Sequence, residues 1–534
     1  MQADGLQTIG YDHGDYNVAT NYVKGNNSYT VFAGANYSHV DGTETWNNES
    51  YQFPQSLFDR ESYSKNSYQN HQEYMQFRYQ NQKGKRYWVG KFTLVNLSTP
   101  RNASSGFAKE STGTDIFSNI RKKSLSPKID LNANLPLSKN QTLTLGVHGK
   151  YSANSYHRLY QEQPFEAMTD EDENALSFQL SAIYNYFSQK HSLSVELFHY
   201  HDVWNADYSG NCELWQHLWK GESLAFFSYN FQASRRLSLK TRIGLAWLQY
   251  HLHGDNSFSQ LSPRINTNVQ YQLNKGMLLW SFNFVNSNHG MDVINRAMIQ
   301  VNSHMMEKGM PELKKSHDIN TYLYYMGRFN WLSVSAIGQF RYNHHPVTDD
   351  YYLDEANRKI VKTYSNGGNA QYYSAILALQ YKLCKFANLS GDIRYNHAEV
   401  KTTWSKHNNN LTGNLGLNMF MGDFALKPYL HFGKKSLDEA ALVISKTPID
   451  YGMSCSYSRG NLYVELQAAS PFKKQEKRYW LDLPIYSYSK SIKDQTASQY
   501  ASIKVAYSFD FGRKTQKVKK DVNKNINSSL LRVE

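Results

Sequence analysis

The chain has 534 residues, with 58 Lys and Arg against 45 Asp and Glu, a formal net charge of +13 and a mean hydropathy of −0.65. Its 41 Tyr, 26 Phe and 10 Trp beside only 12 Pro exclude collagenous and disordered chains and point to many aromatic-rich, half-buried strands. Cys212, Cys384 and Cys455 lie far apart with no C-x-x-C pair, which excludes a disulfide framework and a Cys-rich zinc module.

Period-two alternation predicts strands over 15–24, 28–39, 72–82, 85–96, 126–137, 142–160, 176–188, 192–206, 212–232 and 238–252. It continues over 262–273, 277–287, 315–326, 331–346, 371–383, 387–403, 409–421, 424–433, 448–458, 461–469 and 498–511. A hairpin inside a long loop is expected near 358–366, and Asp292 to Glu307 is the one longer stretch compatible with a helical period. Within each strand one face is apolar and the other wet. Leu143, Leu145, Val147 and Tyr151 oppose Thr144, His148 and Lys150, and Leu411, Leu415 and Leu417 oppose Thr412, Asn414 and Asn418.

Three features turn this all-β reading into a transmembrane antiparallel up-and-down barrel. The strands run longer than the usual five or six residues. The wet face carries Lys, Asp, Arg and His, while the apolar face often ends in Tyr, Trp or Phe, as a lipid-facing band with aromatic girdles requires. Short turns such as Gly25-Asn26-Asn27, Lys83-Gly84, Gly422-Asp423 and Arg459-Gly460 alternate with long loops, among them 40–71, 97–125, 161–175, 288–314, 347–370, 434–447 and 470–498. Twenty-one strands are counted, with the first running inward. Single-chain bacterial barrels have an even number, so another strand is expected at or before residue 14, giving the 22-strand type. The expected organisation is a remnant of the first strand or an outer loop over 1–14, a barrel over 15–511 and a basic periplasmic tail over 512–534, with no plug domain.

No stretch of 18 apolar residues forms a spanning helix, and Met1-Gln2-Ala3-Asp4-Gly5 does not open a signal peptide. Seven Lys or Arg lie from Arg513 onward, a solvated tail rather than a nucleic-acid footprint, so no nucleic-acid partner is expected.

Four short blocks carry a family resemblance. Gly309-Met310-Pro311-Glu312-Leu313-Lys314-Lys315-Ser316 is similar to a G-N-P-x-L-K-P-x block before a strand, with Met310 and Lys315 departing from it. Tyr364-Ser365-Asn366-Gly367-Gly368 resembles a recurrent loop and strand start. Tyr507-Ser508-Phe509-Asp510-Phe511-Gly512-Arg513-Lys514 and Asn525 to Arg532 resemble a characteristic ending. Together they resemble the C-terminal β-barrel of TonB-dependent outer-membrane receptors, in the outer-membrane-protein β-barrel family usually preceded by a carboxypeptidase-regulatory-like domain and a plug.

The resemblance implies a bacterial outer-membrane location and energy-coupled import. The implied partners are outer-membrane lipid, a plug, the TonB energy-coupling complex and an external small-molecule, peptide or glycan ligand. Plug and coupling box are not found in this sequence, so an N-terminally truncated receptor is the leading expectation. A passive porin-like channel, an adhesion barrel or a non-functional fragment are the alternatives, and a soluble β-rich binding or carbohydrate-processing protein a further one.

No enzymatic, cofactor or metal site is expected, since no H-E-x-x-H, G-x-S-x-G, Walker or dinucleotide motif occurs. The pairs His199/His201 and His251/His253 each share a strand face, but it is the outward, lipid side. His344-His345 cannot share one. Asp170-Glu171-Asp172-Glu173 offers carboxylates for Ca²⁺ and reads better as a solvated loop. Lys128, Asp130, Lys150, Asp392, Arg394, Lys504 and Asp510 fall on the wet interior face, where mutual pairing is their expected role.

Overall fold

The computed structural model describes the chain apart from residues 1, 10–11, 55, 111–112, 256, 287–291, 474, 495–498, 510–521, 527 and 529–534. Its strands begin with β1 (Gln2–Ile9), β2 (Asp12–Lys24), β3 (Asn27–Phe53), β4 (Ser56–Lys83), β5 (Arg86–Lys109), β6 (Gly113–Pro136), β7 (Gln141–Glu162), β8 (Phe165–Phe187), β9 (His191–Gly210) and β10 (Leu214–Gln232). They continue with β11 (Leu237–Leu252), β12 (Ser257–Leu273), β13 (Gly276–Asn286), β14 (Met298–Gln300), β15 (Met305–Lys308), β16 (His317–Phe329), β17 (Leu332–His344), β18 (Thr348–Asp354), β19 (Lys359–Ser365) and β20 (Asn369–Cys384). The last are β21 (Ala387–Lys401), β22 (Ser405–Met421), β23 (Phe424–His431), β24 (Lys434–Asp438), β25 (Val443–Thr447), β26 (Asp450–Arg459), β27 (Leu462–Ala469), β28 (Gln475–Asp482), β29 (Tyr486–Asp494) and β30 (Tyr500–Ser508).

Twenty-two strands form one closed antiparallel barrel, each paired with its neighbour in order, and β1 pairing β30 completes the ring from Gln2↔Ser508 to Ile9↔Ala501. The chain itself thus supplies an even number of barrel strands. Closure removes every edge, which is the condition for a sheet to span lipid. No helix among the described residues is long and apolar enough to cross a membrane. Instead of a helical turn, Asp292 to Glu307 carries β14 and part of β15.

The facing pattern is the one the alternation dictates. Leu131, Val147, Leu245, Ile393, Leu411 and Leu415 point outward and are 45–69 % exposed, part of an apolar band with no protein cover. The other face carries ion pairs: Glu196 with Arg242 at 2.5 Å, Glu222 with Arg264 at 2.5 Å, and Asp318 with Arg341 at 3.0 Å. At one rim the strands meet in tight turns. Gly25, Gly84, Gly422 and Gly460 each open a two-residue turn with φ near +60°, the left-handed conformation that the first position of a type II′ hairpin demands.

The opposite rim departs from expectation. Much of 40–71 and 97–125 is strand rather than loop: β3 and β4 run 27 and 28 residues, and their ladder reaches Phe53↔Ser56. A fully extended strand rises about 3.3 Å per residue, so these walls stand far beyond the apolar band. Register shifts at Asp41/Thr43, Gln69/His71 and Thr99/Asn102 bend the wall as it leaves that band. Hairpins β24–β25 and β28–β29 extend it, with β29 joined to β3.

Candidate functional site

Two segments turn inward at the long-strand rim. The connection between β13 and β16 carries β14 and β15, and the connection between β17 and β20 carries β18 and β19. They form a separate four-stranded sheet, ordered β14-β15-β19-β18, in which β15 and β19 run parallel from Met305↔Ile360 to Glu307↔Lys362. Apolar burial explains why these segments fold in. Ile294, Ala297, Ile299, Ile360 and Val361 are at most 1 % exposed. Ile294 and Leu313 pack on Trp204, Leu218 and Tyr250 of the wall. Ile360 and Met305 pack with Tyr51 and Tyr486 of β3 and β29 and with Val400 of β21. The inner sheet is therefore anchored on several sides of the wall and lies across the mouth.

Polar clamps reinforce it. Arg158 of β7 donates to the carbonyls of Gln300 at 2.7 Å and Val301 at 2.6 Å. Gln216 donates to Asn295, which donates to the Tyr208 hydroxyl. Tyr250 donates to the Pro311 carbonyl at 3.3 Å, inside the Gly309–Ser316 block that the sequence singled out. Asn366, in the other such block, donates to Lys314 O at 2.6 Å and accepts from Lys314 N at 2.8 Å, so the two blocks tie the infolded segments together.

The turn between β14 and β15 reaches an ion-pair node. Arg60, 4 % exposed, lies 2.6 Å from Glu49 and 2.8 Å from Glu162, and 3.6 Å from Glu110. Burial works against the charge of Arg60, but Glu49, Tyr160 and Glu162 outweigh it and raise the guanidinium pKa. Asn302 donates to Tyr51, Ser303 to Glu162, and His304 sits 3.0 Å from Glu110 with the Phe58 ring 4.5 Å away. Within the inner sheet, Lys362 bridges Glu307 at 3.2 Å and Asp349 at 3.4 Å, and burial carries the Asp349 carboxyl up to about 6 against the pull of Lys362.

Beneath the inner sheet lies a carboxyl without a countercharge. The acidic run expected to be a solvated loop is part of β8, so its residues alternate. Asp170 points away and holds His157 at 2.5 Å, whereas Glu171 and Glu173 face the interior and are each 1 % exposed. Four carboxylates on alternating faces cannot converge on one Ca²⁺, and no cluster of three or more metal-ligating side chains occurs among the described residues. Neither Glu171 oxygen meets hydrogen-bond geometry, although Tyr208 lies beside it in register. Burial first, and then the Glu173 carboxylate, pushes the Glu171 carboxyl up to about 9.

Asp130 pairs with His148 at 2.7 Å, and Asp392 pairs with Arg394 at 2.9 Å while accepting from Asn414. Lys128 departs from mutual pairing: it donates to the carbonyls of Asn523 and Asn525. Val522 and Ile526 pack with Phe32, Tyr74 and Val95, so part of the C-terminal segment sits against the inner wall. Asp510 lies outside the described residues. Both His-x-His pairs belong to the outward face of β9 and of β11 and the residue just beyond it, while His344 and His345 stack at 3.9 Å because the backbone leaves β17 at His345 with φ +58°. The sequence did not place Arg60, Glu49, Glu162, Arg158, Asn295 or Glu171 at an inner sheet. The hairpin expected near 358–366 is present as β18–β19, and its β-branched, apolar Ile360-Val361 was the available signal that this segment packs inward.

The 22-strand barrel has counterparts among solved structures. The architecture is shared with solved metal and siderophore receptors. The copper transporter OprC aligns over 95 % of this chain and 80 % of its own, with a TM-score of 0.66 and 10 % identity. FpvA of P. aeruginosa, solved with a bound pyoverdine–iron complex, aligns over 95 % and 71 % with a TM-score of 0.64 and 10 % identity. The ferric yersiniabactin uptake receptor FyuA of Yersinia pestis aligns over 95 % and 80 %, with a TM-score of 0.63 and 9 % identity. At such identities the likeness is one of fold. No protein-family model and no curated protein sequence matches the chain.

Proposed function

We propose that the chain is the bacterial outer-membrane barrel of a TonB-dependent receptor that imports an external ligand past the infolded sheet, working with a plug and the TonB energy-coupling complex. The observation that carries this reading is a 22-strand polar lumen closed at its mouth. A barrel of that size leaves a channel wide enough to need control, and here the control is a discrete four-stranded sheet held by side-chain clamps. The outward apolar band supports insertion in lipid. The short turns then face the periplasm and the long walls the exterior.

The ligand is an external solute. The vestibule offers aromatic rings, amides and charged side chains, a surface suited to polar organic molecules or their metal complexes. Planar-bilayer recording tests the gate. The intact chain is expected to conduct little, and replacing residues 298–308 by a Gly-Ser linker is expected to open steady channels. Steady conductance with the inner sheet intact would instead support a passive porin-like channel. Ligand uptake that persists without TonB would remove the energy-coupled part of the reading.

A further inference from the structure

The wet face of the barrel wall is dry in one place. Two rows of inward positions cross β2–β6 in register, Asn17, Gly34, Tyr74, Val95 and Ser126 in one, and Phe32, Gln76, Thr93 and Lys128 in the next. Each of these side chains is at most 9 % exposed, and Val95 and Ser126 are covered completely. Across the lumen, Asp392, Asn414 and Gly416 on the inward face of β21 and β22 stay half-exposed, as a hydrated wall requires. Phe32 and Val95 are moreover apolar, on a face that elsewhere carries paired charges and amides.

The chain's own C-terminal segment lies on this patch. Val522 and Ile526 pack against Phe32, Tyr74 and Val95. Between them, Lys524 holds its Nζ 4.3 Å from the centre of the Tyr74 ring, a cation–π contact. Positions 522, 524 and 526 thus form one side of the segment and meet the wall at alternate residues, as an extended chain does. Lys128 grips the main chain between them, donating to the carbonyl of Asn523 at 2.8 Å and to that of Asn525. The wall is shaped for these contacts. Tyr74 donates to Asn17, and a Cβ at Gly34 would stand 2.6 Å from Asn17 Oδ1 and 2.7 Å from the Tyr74 ring. Glycine at that position lets the ring lie along the wall with its face open to a cation.

We propose that this patch is a binding site for an extended peptide with an apolar side chain two positions to either side of a lysine, and that residues 522–526 occupy it in cis and shut it to peptides in trans. Two kinds of recognition meet here. The apolar rows and the tyrosine face read alternate side chains, while Lys128 reads main-chain carbonyls, which every peptide carries. A stretch of another chain with the same alternation therefore satisfies the same contacts once the C-terminal segment has left. The inference goes beyond the import reading, because it gives the lumen wall a peptide ligand and makes the C-terminus its competitor.

The test uses the full chain in detergent, with its three free cysteines replaced by serine. V95C/I526C is expected to close an intramolecular disulfide on mild oxidation, and N414C/I526C, which pairs the segment with the opposite wall, is not. A fluorescein-labelled peptide of residues 522–528 then probes the site by polarisation. V522D/I526D places carboxylates where apolar side chains were buried, which drives the resident segment out. This variant is expected to bind the probe roughly tenfold or more tighter than the wild type, whose site is filled. Adding K128M is expected to weaken the probe by roughly tenfold, since bonds from a charged donor are removed. Adding K504M instead, at a lumenal lysine of β30, is the control and leaves the affinity unchanged. Equal binding by wild type and V522D/I526D (none in either included), no effect of K128M, or cross-linking to Asn414 as ready as to Val95 overturns the proposal. Each of these results leaves the import reading standing. Heat-modifiable gel mobility shows that every variant is a folded barrel, so a lost probe is not lost folding.

Discussion

The half of the barrel near the short turns and the half built of long walls obey the same hydrogen-bond ladder but face different solvents. In the first, lipid outside and water inside impose opposite demands on successive residues, and β22 answers with Leu411 and Leu415 outward and Asn410 and Asn414 inward. In the second, water lies outside and the infolded sheet inside. There β3 is polar on both faces, and its interior side, Thr45, Glu49 and Tyr51, is buried against other protein rather than hydrated. The barrel wall thus becomes the wall of a vestibule without any change of secondary structure. What changes is the partner each face meets.

The sharpest way to break this comparison is to remove the cation at the centre of the vestibule. Arg60→Leu leaves Glu49 and Glu162, both nearly buried, without their shared countercharge. Breaking a buried pair in this way costs about 3–5 kcal/mol. The loss is expected to be local: amides of 300–306 should lose hydrogen-exchange protection while those of β20–β22 keep theirs. Uniform loss around the barrel would show that the two halves are one cooperative unit.

Next in size is a test in the lipid-facing half. Leu415→Arg is expected to cost about 2–4 kcal/mol near the midplane. Asn414→Arg, one residue away on the lumen side, should cost far less. Urea titration of the refolded barrel in vesicles measures both. Equal costs would mean that the wall does not separate lipid from water as described.

The lower half was legible because its pattern is local: Leu143, Leu145 and Val147 announce their face within a few residues, and four of the two-residue turns carry glycine where φ must be positive. The upper half was not. Segment 40–53 lacks alternation of polarity because neither face meets lipid, so it reads as loop although its ladder is unbroken apart from one bulge. The gate is less legible still, since its contacts join residues far apart in sequence: Asn302 to Tyr51 across 251 positions and Arg60 to Glu162 across 102. Tyr250 and Pro311 illustrate the middle case. The Gly309–Ser316 block was recognisable as letters, but its anchoring on Tyr250 of the wall needed the fold.

A smaller effect isolates one clamp. Arg158→Met keeps the stem and deletes two bonds to the carbonyls of Gln300 and Val301. Hydrogen bonds from a charged donor contribute about 1.5–3 kcal/mol. The variant is expected to flicker open in single-channel recordings, with the inserted barrel still heat-modifiable. Unchanged closed times would assign gate stability to apolar packing alone.

The finest test concerns Glu171, and its sign can be worked out. Under the closed inner sheet this carboxyl holds its proton up to about 9. Lifting the sheet returns it to water, where a glutamate ordinarily titrates near about 4.3. The closed state therefore binds the extra proton between those two values, and raising pH across that window favours opening by at most about 1.4 kcal/mol per pH unit. Below the window both states are protonated and above it both are ionised, so the dependence flattens at each end. Asp349, carried up to about 6, adds a bend confined to the acid part. Glu171→Gln has no proton to release and should abolish the slope above pH 6 while leaving the acid bend, with exchange of amides in 298–308 as the readout. An undiminished slope in the variant would show that the carboxyl is not solvated when the gate opens, and that the inner sheet moves without uncovering the β8 wall.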